Sequence, residues 1–199
     1  MENFDAMAVG YDTDNRIRRA KIIADKINKH IEAGPKKSAL EYGCGTGLVG
    51  LYLMDDFESL LFVDSSPEML NQVRQKSPAA LTLSADLMEN VPKNLKVDCI
   101  FSSLVLHHIK NTEYALRRFY DMLNDGGHLL IVDVDEEDGS FHAKYPEFDG
   151  HNGFAHSYLN GLALKVGFKT TNIETFYRDI KVFNGNENPY SLFILNAVK

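Results

Sequence analysis

The stretch from Ser38 to Gly50, Ser-Ala-Leu-Glu-Tyr-Gly-Cys-Gly-Thr-Gly-Leu-Val-Gly, narrows the folds open to this chain more than any other. Ala39, Leu40 and Tyr42 form a short run with strand character. Three alternate glycines follow, Gly43, Gly45 and Gly47, and the apolar residues Leu48 to Leu53 predict the start of a helix. A strand, a glycine turn and a helix in that order build a ligand floor. Glycine lets the chain turn tightly through φ > 0, and its missing Cβ lets a ligand lie against the backbone.

Two ligand readings overlap on these residues. Gly45, Gly47 and Gly50 spell G-x-G-x-x-G, the dinucleotide pattern, and Asp64 lies near the distance at which an acid would meet a ribose. One step earlier the pattern is Glu41-x-Gly43-x-Gly45-x-Gly47, with a carboxylate inside the strand end. A phosphate gains nothing from that carboxylate, whereas a cofactor carrying an ammonium and a sulfonium is attracted by it. Glu41 therefore tilts the reading away from NAD. A glycine-rich connection in a phosphate-binding or unliganded α/β fold is the plainer alternative.

The rest of the chain supplies strands and helices in alternation. Ile17, Ala20, Ala24, Ile27 and Ile31 recur at three and four, which predicts a helix over 14–31 ended by Gly34-Pro35. Ahead of it, Phe4-Asp5 and Tyr11-Asp12 flank small residues that either fold over the cleft or simply mark the helix boundary, with Phe4 tucked into the body. Ser59 to Val63 reads as a strand with Asp64 at its carboxyl end, and Ser65-Ser66-Pro67-Glu68 carries helix-start signals that leave Asp64 free as a ribose anchor. Ala79 to Leu83 is a third strand, closed by Asp86, whose side chain could accept from an adenine amino group. Val97 to Leu106 has, Asp98 apart, the apolar character of a strand buried on both faces, interrupted by Ser102 and Ser103 and closed by His107-His108. Thr112 is placed to cap a helix presenting Tyr114 or Ala115, Leu116, Phe119, Tyr120 and Leu123. Asn124-Asp125-Gly126-Gly127 turns into a fifth strand, His128 to Val134. A last helix carries Leu159, Leu162, Ala163 and Val166 and ends at Gly167-Phe168. Thr170 to Phe183 and Tyr190 to Val198 are then strands across Asn-Gly-Asn-Glu-Asn-Pro, and a connection that short makes them antiparallel. The expected fold is α/β: a doubly wound, Rossmann-like, seven-stranded, mostly parallel sheet with an antiparallel C-terminal hairpin.

At 199 residues the chain has the length of one domain. Its expected parts are an N-terminal helical lid segment (1–34), a cofactor-binding core (38–134), a substrate-loop insertion (135–156) and a last helix with the hairpin (157–199). The net charge is −7, and basic residues are scattered apart from Arg16, Arg18, Arg19 and Lys21, which argues against nucleic acid as partner. No apolar run reaches the roughly 20 residues of a membrane span, and Met-Glu-Asn-Phe-Asp opens the chain without a basic or apolar leader. A soluble, cytoplasmic protein, monomer or homodimer, is expected. Cys44 and Cys99 make neither a disulfide framework nor a metal-ligand set.

Taken together, Leu-Glu-Tyr-Gly-Cys-Gly-Thr-Gly, Val-Asp-Ser-Ser-Pro-Glu-Met-Leu, Ser-Ala-Asp-Leu, Ser-Ser-Leu-Val-Leu-His-His-Ile and Leu-Asn-Asp-Gly-Gly-His-Leu resemble the ordered motifs of the class I S-adenosylmethionine-dependent methyltransferases over roughly residues 38–134. Phe4-Asp5 to Tyr11-Asp12 resembles the N-terminal segment of small-molecule members. Asp138-Gly139-Ser140-Phe141 with His151-Asn152-Gly153-Phe154 resembles a bacterial subgroup. The resemblance implies that Gly43, Gly45 and Gly47 underlie the methionine part of S-adenosylmethionine, with Glu41 supporting its ammonium. It places Asp64, with Ser65 beside it, on the ribose, and Asp86 and Leu87 on the adenine. Ser102 and Ser103 offer carbonyls near the methionine, and Tyr11 closes over the site. The Asn/Asp-Pro-Pro-aromatic signature of amino-methylating nucleic-acid and glutamine enzymes is absent where Ser-Ser-Leu-Val stands, which favours a small-molecule acceptor.

His107 and His108 end the central strand where that acceptor would lie. One of them, His108 by preference, is a candidate to take its proton near the ordinary imidazole pKa. Residues 135–156 are long for a strand-to-helix connection and rich in groups that both pack and hydrogen-bond. His142, Tyr145, Phe148, His151 and Phe154 are expected to wall the acceptor pocket. No metal is expected, because His142, His151 and His156, with Asp149, are irregularly spaced. The competing functions are an NAD(P)-binding oxidoreductase and a non-catalytic nucleoside-binding regulatory module.

Overall fold

The computed structural model describes residues 4–31 and 37–199; the helix stop read at Gly34-Pro35 lies outside the described residues. In chain order the elements are α1 (Phe4–Met7), α2 (Asp14–Ile31), β1 (Ser38–Tyr42), α3 (Gly50–Leu53), β2 (Ser59–Asp64), α4 (Pro67–Lys76), β3 (Leu81–Ser84), β4 (Val97–Ser103), α5 (Thr112–Met122), β5 (Leu123–Val134), α6 (His156–Val166), β6 (Thr170–Phe183) and β7 (Asn186–Val198). All seven strands join one sheet in the order β3-β2-β1-β4-β5-β7-β6. The first five are parallel, and β7 runs antiparallel to both β5 and β6. This is the doubly wound, mostly parallel sheet with an antiparallel C-terminal hairpin that the sequence predicts. Chain order runs outward in both directions from the β1/β4 boundary, so the crevice for a ligand falls at the carboxyl ends of those two strands.

Helices cover both faces of the sheet. Ile23, Ile27 and Ile31 of α2 pack with Phe62, Phe101 and Ile194 on one side. Leu116 and Phe119 of α5 and Leu159 and Ala163 of α6 pack with Ile100, Leu129 and Phe193 on the other. Central strands buried on both faces read as apolar runs for this reason. Fully buried Asp133 therefore stands out among Leu129, Leu130, Ile131, Val132 and Val134.

Several boundaries differ from the sequence reading. The stripe of α2 uses Ile23 rather than Ile17. Asn111, not Thr112, caps α5: its side chain accepts from the Tyr114 N–H at 3.0 Å, and Tyr114 itself is exposed while Met122 is buried. β5 begins at Leu123, because Val97 pairs with Leu123 before the register shifts to Cys99 with His128. The hairpin turn is two residues, Asn184 and Gly185, both at positive φ (51° and 79°), and β7 starts at Asn186. Asn-Gly suits a tight turn whose twist matches the flanking strands. Pro189 sits beyond the part of β7 that pairs with β5, so its missing N–H leaves no gap in that ladder.

Candidate active site

The glycine turn leaves β1 with Gly43, Gly45 and Gly47 at φ of 66°, 54° and 77°. Gly45 is the one that faces open space: a Cβ built there would meet nothing within 4 Å. Its N–H donates to Asp64 Oδ2 at 2.7 Å, so the acid at the end of β2 holds the turn in shape. Gly50, at the start of α3, is required for a different reason. A Cβ there would stand 2.2 Å from Glu41 Oε2 and 2.5 Å from the Phe62 ring, and the Gly50 N–H donates to that carboxyl at 3.1 Å. Glu41 is thus a buried acid beneath the turn, and burial pushes its pKa up to about 8. The sequence implies an ordinary carboxylate there, whereas the fold favours its protonated form. α3 is a single helical turn, shorter than its apolar run predicts.

The remaining predicted cofactor residues gather around this turn, several already engaged. Asp64 was expected to be free, but besides Gly45 it accepts from the Ser66 N–H at 2.8 Å. A carboxylate offers about four acceptor positions, so capacity for ribose hydroxyls remains. Burial raises the Asp64 pKa. Ser66 is the N-cap of α4 and is buried, while Ser65 is exposed beside Asp64. Asp86 accepts from the Tyr42 hydroxyl at 3.0 Å and the Met88 N–H at 2.8 Å. The Leu87 side chain is in the core, so only its backbone is available to a ligand. Ser102 is buried and donates to the Tyr42 carbonyl at 2.7 Å, tying the ends of β4 and β1 together, with Ser103 next to it and less buried. Leu104 follows at φ 58°, a costly conformation for a non-glycine residue and one that clusters at functional sites. No sequence signal marks Leu104.

The N-terminal segment crosses the crevice. Asp5 accepts from the Ser66 hydroxyl, Asp12 accepts from Thr46 Oγ1 in the glycine turn at 2.5 Å and pairs with Lys76, and the Phe4 ring lies edge-on to His108 at 6.0 Å. Tyr11 itself stacks under the Arg16 guanidinium, 3.9 Å from its ring centre. Asp12 makes a polar contact with the glycine turn.

His107 and His108 do not alternate across a strand. They occupy a short 3-10 turn, Leu106–His108, and their ring centres are 4.2 Å apart. Buried His107 is bonded through Nδ1 to Asp133 at 2.6 Å. Asp133 is a buried partner of His107 that the sequence analysis does not single out, although an acid inside an apolar strand is a legible signal. Burial, then the neighbouring His107, lowers His108 to about 4, so it is neutral and a weaker base than the sequence reading supposed.

The 135–156 connection lies against this turn. His142 stacks on Phe148 at 3.6 Å, with His107 and His108 5.0 and 5.9 Å from His142. The Tyr145 N–H donates to the His142 carbonyl at 2.7 Å, and Lys181 of β6 donates to the Phe141 carbonyl at 3.0 Å. His151 and Phe154 depart from the expected pocket wall. The His151 N–H donates to the His107 carbonyl at 2.8 Å, and Nε2 lies 3.1 and 3.2 Å from the carbonyls of Ile109 and Lys110. Phe154 is in the core beside Phe193. Both fasten the loop. A separate cleft of about 630 Å³, lined by Asp135, Glu136, Glu137, Arg178, Asp179 and Tyr190 among others, includes neither the glycine turn nor the histidines.

Three comparisons place this arrangement among known proteins. The chain is 28% identical over 136 residues to malonyl-[acyl-carrier protein] O-methyltransferase 1 from Ilyobacter polytropus, covering 65% of this chain and 50% of that one. It spans about half the length of the curated relatives it matches. A Thermotoga maritima structure named as an S-adenosylmethionine-dependent methyltransferase, possible histamine N-methyltransferase, superposes with a TM-score of 0.71 at 21% identity over 98% of both chains. Phosphoethanolamine N-methyltransferase 2 from Haemonchus contortus, solved with S-adenosylhomocysteine, gives 0.68 at 17% identity over 88% of this chain and 52% of that one. These likenesses carry the fold. The methyltransferase domain model matches residues 15–175, most of the chain from α2 into β6, and the protein belongs to the methyltransferase domain family.

Proposed function

We propose that the protein transfers the methyl group of S-adenosylmethionine to a small-molecule acceptor at the carboxyl ends of β4 and β5. The observation that carries this reading is the open side of Gly45, above a buried Glu41 and beside Asp64. A cofactor can lie against the backbone there with an acid on either side. Asp64 would hold the ribose, Asp86 and the Leu87 backbone the adenine, and Glu41 the ammonium end. When bound, S-adenosylmethionine supplies a methyl group already attached to a good leaving group. The chain's own task is then orientation, worth roughly 7–11 kcal/mol in well-aligned reactions.

On the acceptor side, His107 is fixed by Asp133 and His108 lies beside it, with ring centres 4.2 Å apart, so the pair bounds the place of the acceptor. Phe148 and His142 supply a flat apolar wall suited to a small molecule, and Tyr145 joins them from the same loop.

Calorimetry with S-adenosylmethionine, S-adenosylhomocysteine and NAD tests the cofactor. Binding of the sulfonium pair but not NAD is expected. Asp64→Ala should weaken that binding by one to two decades, from the roughly 1.5–3 kcal/mol of a charge-assisted hydrogen bond. Tight NAD binding without the sulfonium pair would favour an oxidoreductase. Labelled methyl transfer into fractions of cell extract then identifies the acceptor; cofactor binding with no transfer to any fraction would favour a regulatory module.

A further inference from the structure

Spacing along the chain groups His142, His151 and His156, but the fold separates them. His156 Nε2 lies 2.6 Å from Asp135, and His151 is held by backbone carbonyls. His142 instead joins His107 and His108: one ring nitrogen from each of these three lies within 4.8 Å of the other two. His107 and His142 are buried, and His108 is the least covered of the three.

Two features of the cluster fit a bound cation. The Nδ1 of His142 is buried with no hydrogen-bond partner among the described residues, a situation that protein interiors seldom leave unmet. Asp133, fully buried, bonds Nδ1 of His107 at 2.6 Å and accepts from its backbone N–H at 3.2 Å. A carboxylate on one ring nitrogen orients the ring and leaves Nε2 available, as is usual for histidines that ligate metals.

We infer that His107, His108 and His142 bind a divalent transition-metal ion of the zinc class. Imidazole nitrogens suit such ions. In a four-coordinate zinc site the ligand nitrogens stand about 3.4 Å apart, so the rings need to close by at most about 1.4 Å, which modest side-chain rotation supplies. Three protein ligands leave a position for water or for the acceptor. An acceptor hydroxyl or thiol bound there would lose its proton to solvent more readily, and its oxygen or sulfur would then bond to the methyl carbon as the sulfonium–methyl bond breaks and S-adenosylhomocysteine leaves. That role rests on the methyl-transfer reading; the metal site itself does not.

The test is calorimetric titration of the chelator-stripped full chain with zinc(II), with cobalt(II) as a spectroscopic substitute. One site per chain of micromolar order or tighter is expected, with the visible absorption of a four-coordinate, nitrogen-rich cobalt centre. Losing an outer partner alone costs about 10–100-fold, so His142→Ala and His108→Ala should each weaken zinc by about tenfold or more. His30→Ala, on α2, should bind as the parent does. Circular dichroism verifies that each variant is folded. Failure of the folded parent to bind zinc, or equal binding by folded His142→Ala and His108→Ala, overturns the assignment. S-adenosylhomocysteine titrated into the same preparation separates the two readings: zinc bound without it keeps the metal site and removes methyl transfer, and the reverse result does the opposite.

Discussion

Glu41 and Gly50 are a matched pair. The acid occupies the space a side chain at position 50 would need, and each explains the other. Burial holds the folded-state pKa of Glu41 at about 8, against 4.5 for the free group. Between those values the unfolded chain has lost a proton that the folded protein keeps, so this group's contribution to stability falls as pH rises from about 4.5 to about 8, by at most about 5 kcal/mol. Glu41→Gln keeps an acceptor for the Gly50 N–H and removes the titration. Urea unfolding at pH 5 and pH 8 should therefore show the parent losing a few kcal/mol relative to Glu41→Gln; parallel profiles would rule out a protonated Glu41. Gly50→Ala should destabilise by about 1–3 kcal/mol or more, because both Glu41 Oε2 and Phe62 must move. Gly161 is the control. It lies on the exposed side of α6 with nothing within 4 Å of a built Cβ, so Gly161→Ala should stabilise by about 0.5–1 kcal/mol in the same denaturant titration.

Among the elements, the 135–156 connection is the one on which the proposed acceptor pocket depends most. It is anchored at His151 to the 107–110 backbone, at Phe154 in the core, and at Phe141 by Lys181 from the hairpin. An exposed Lys110–Asp149 pair adds little to this. The segment between the anchors presents His142 and Phe148 to His108. Phe148→Ala removes the stacked wall and should reduce turnover by about tenfold or more, whereas His151→Ala should act through loop order and raise amide exchange across residues 139–153. In both variants cofactor affinity should stay within about twofold, since Phe148 packs with His107, His108 and His142, and His151 with Ile109, Lys110, Thr112 and Phe154. Steady-state kinetics beside calorimetry checks this, and a large loss of cofactor affinity would move the loop's role from the acceptor to the cofactor.

At the scale of the whole molecule, the sheet, its two covered faces and the crossing N-terminal segment converge on one crevice, and ligand binding there should be felt globally. S-adenosylhomocysteine at a hundred times its Kd adds about 2.7 kcal/mol to stability, which for a chain of this size raises Tm by roughly 5–10 °C. NAD at equal concentration should leave Tm unchanged; the opposite pattern in thermal unfolding would reverse the choice of cofactor. Among the described residues no helix is long and apolar enough to cross a membrane. The order of strands, the glycine turn and the acids Asp64 and Asp86 were legible along the chain, because strand period, positive-φ glycines and acids at strand ends are local properties that short-range sterics and burial impose. The antiparallel hairpin was legible for the same reason, since a connection that short leaves no room for a crossover. What only the tertiary structure decided is which groups meet. His107 finds Asp133 from the next strand, His142 arrives from a loop 35 residues on from His107, His151 and Phe154 turn into anchors, and burial raises the Glu41 pKa because the fold removes it from water. Hydrogen bonding, ligand geometry and desolvation depend on distances across the sheet, and those are settled by how the elements pack rather than by spacing along the chain.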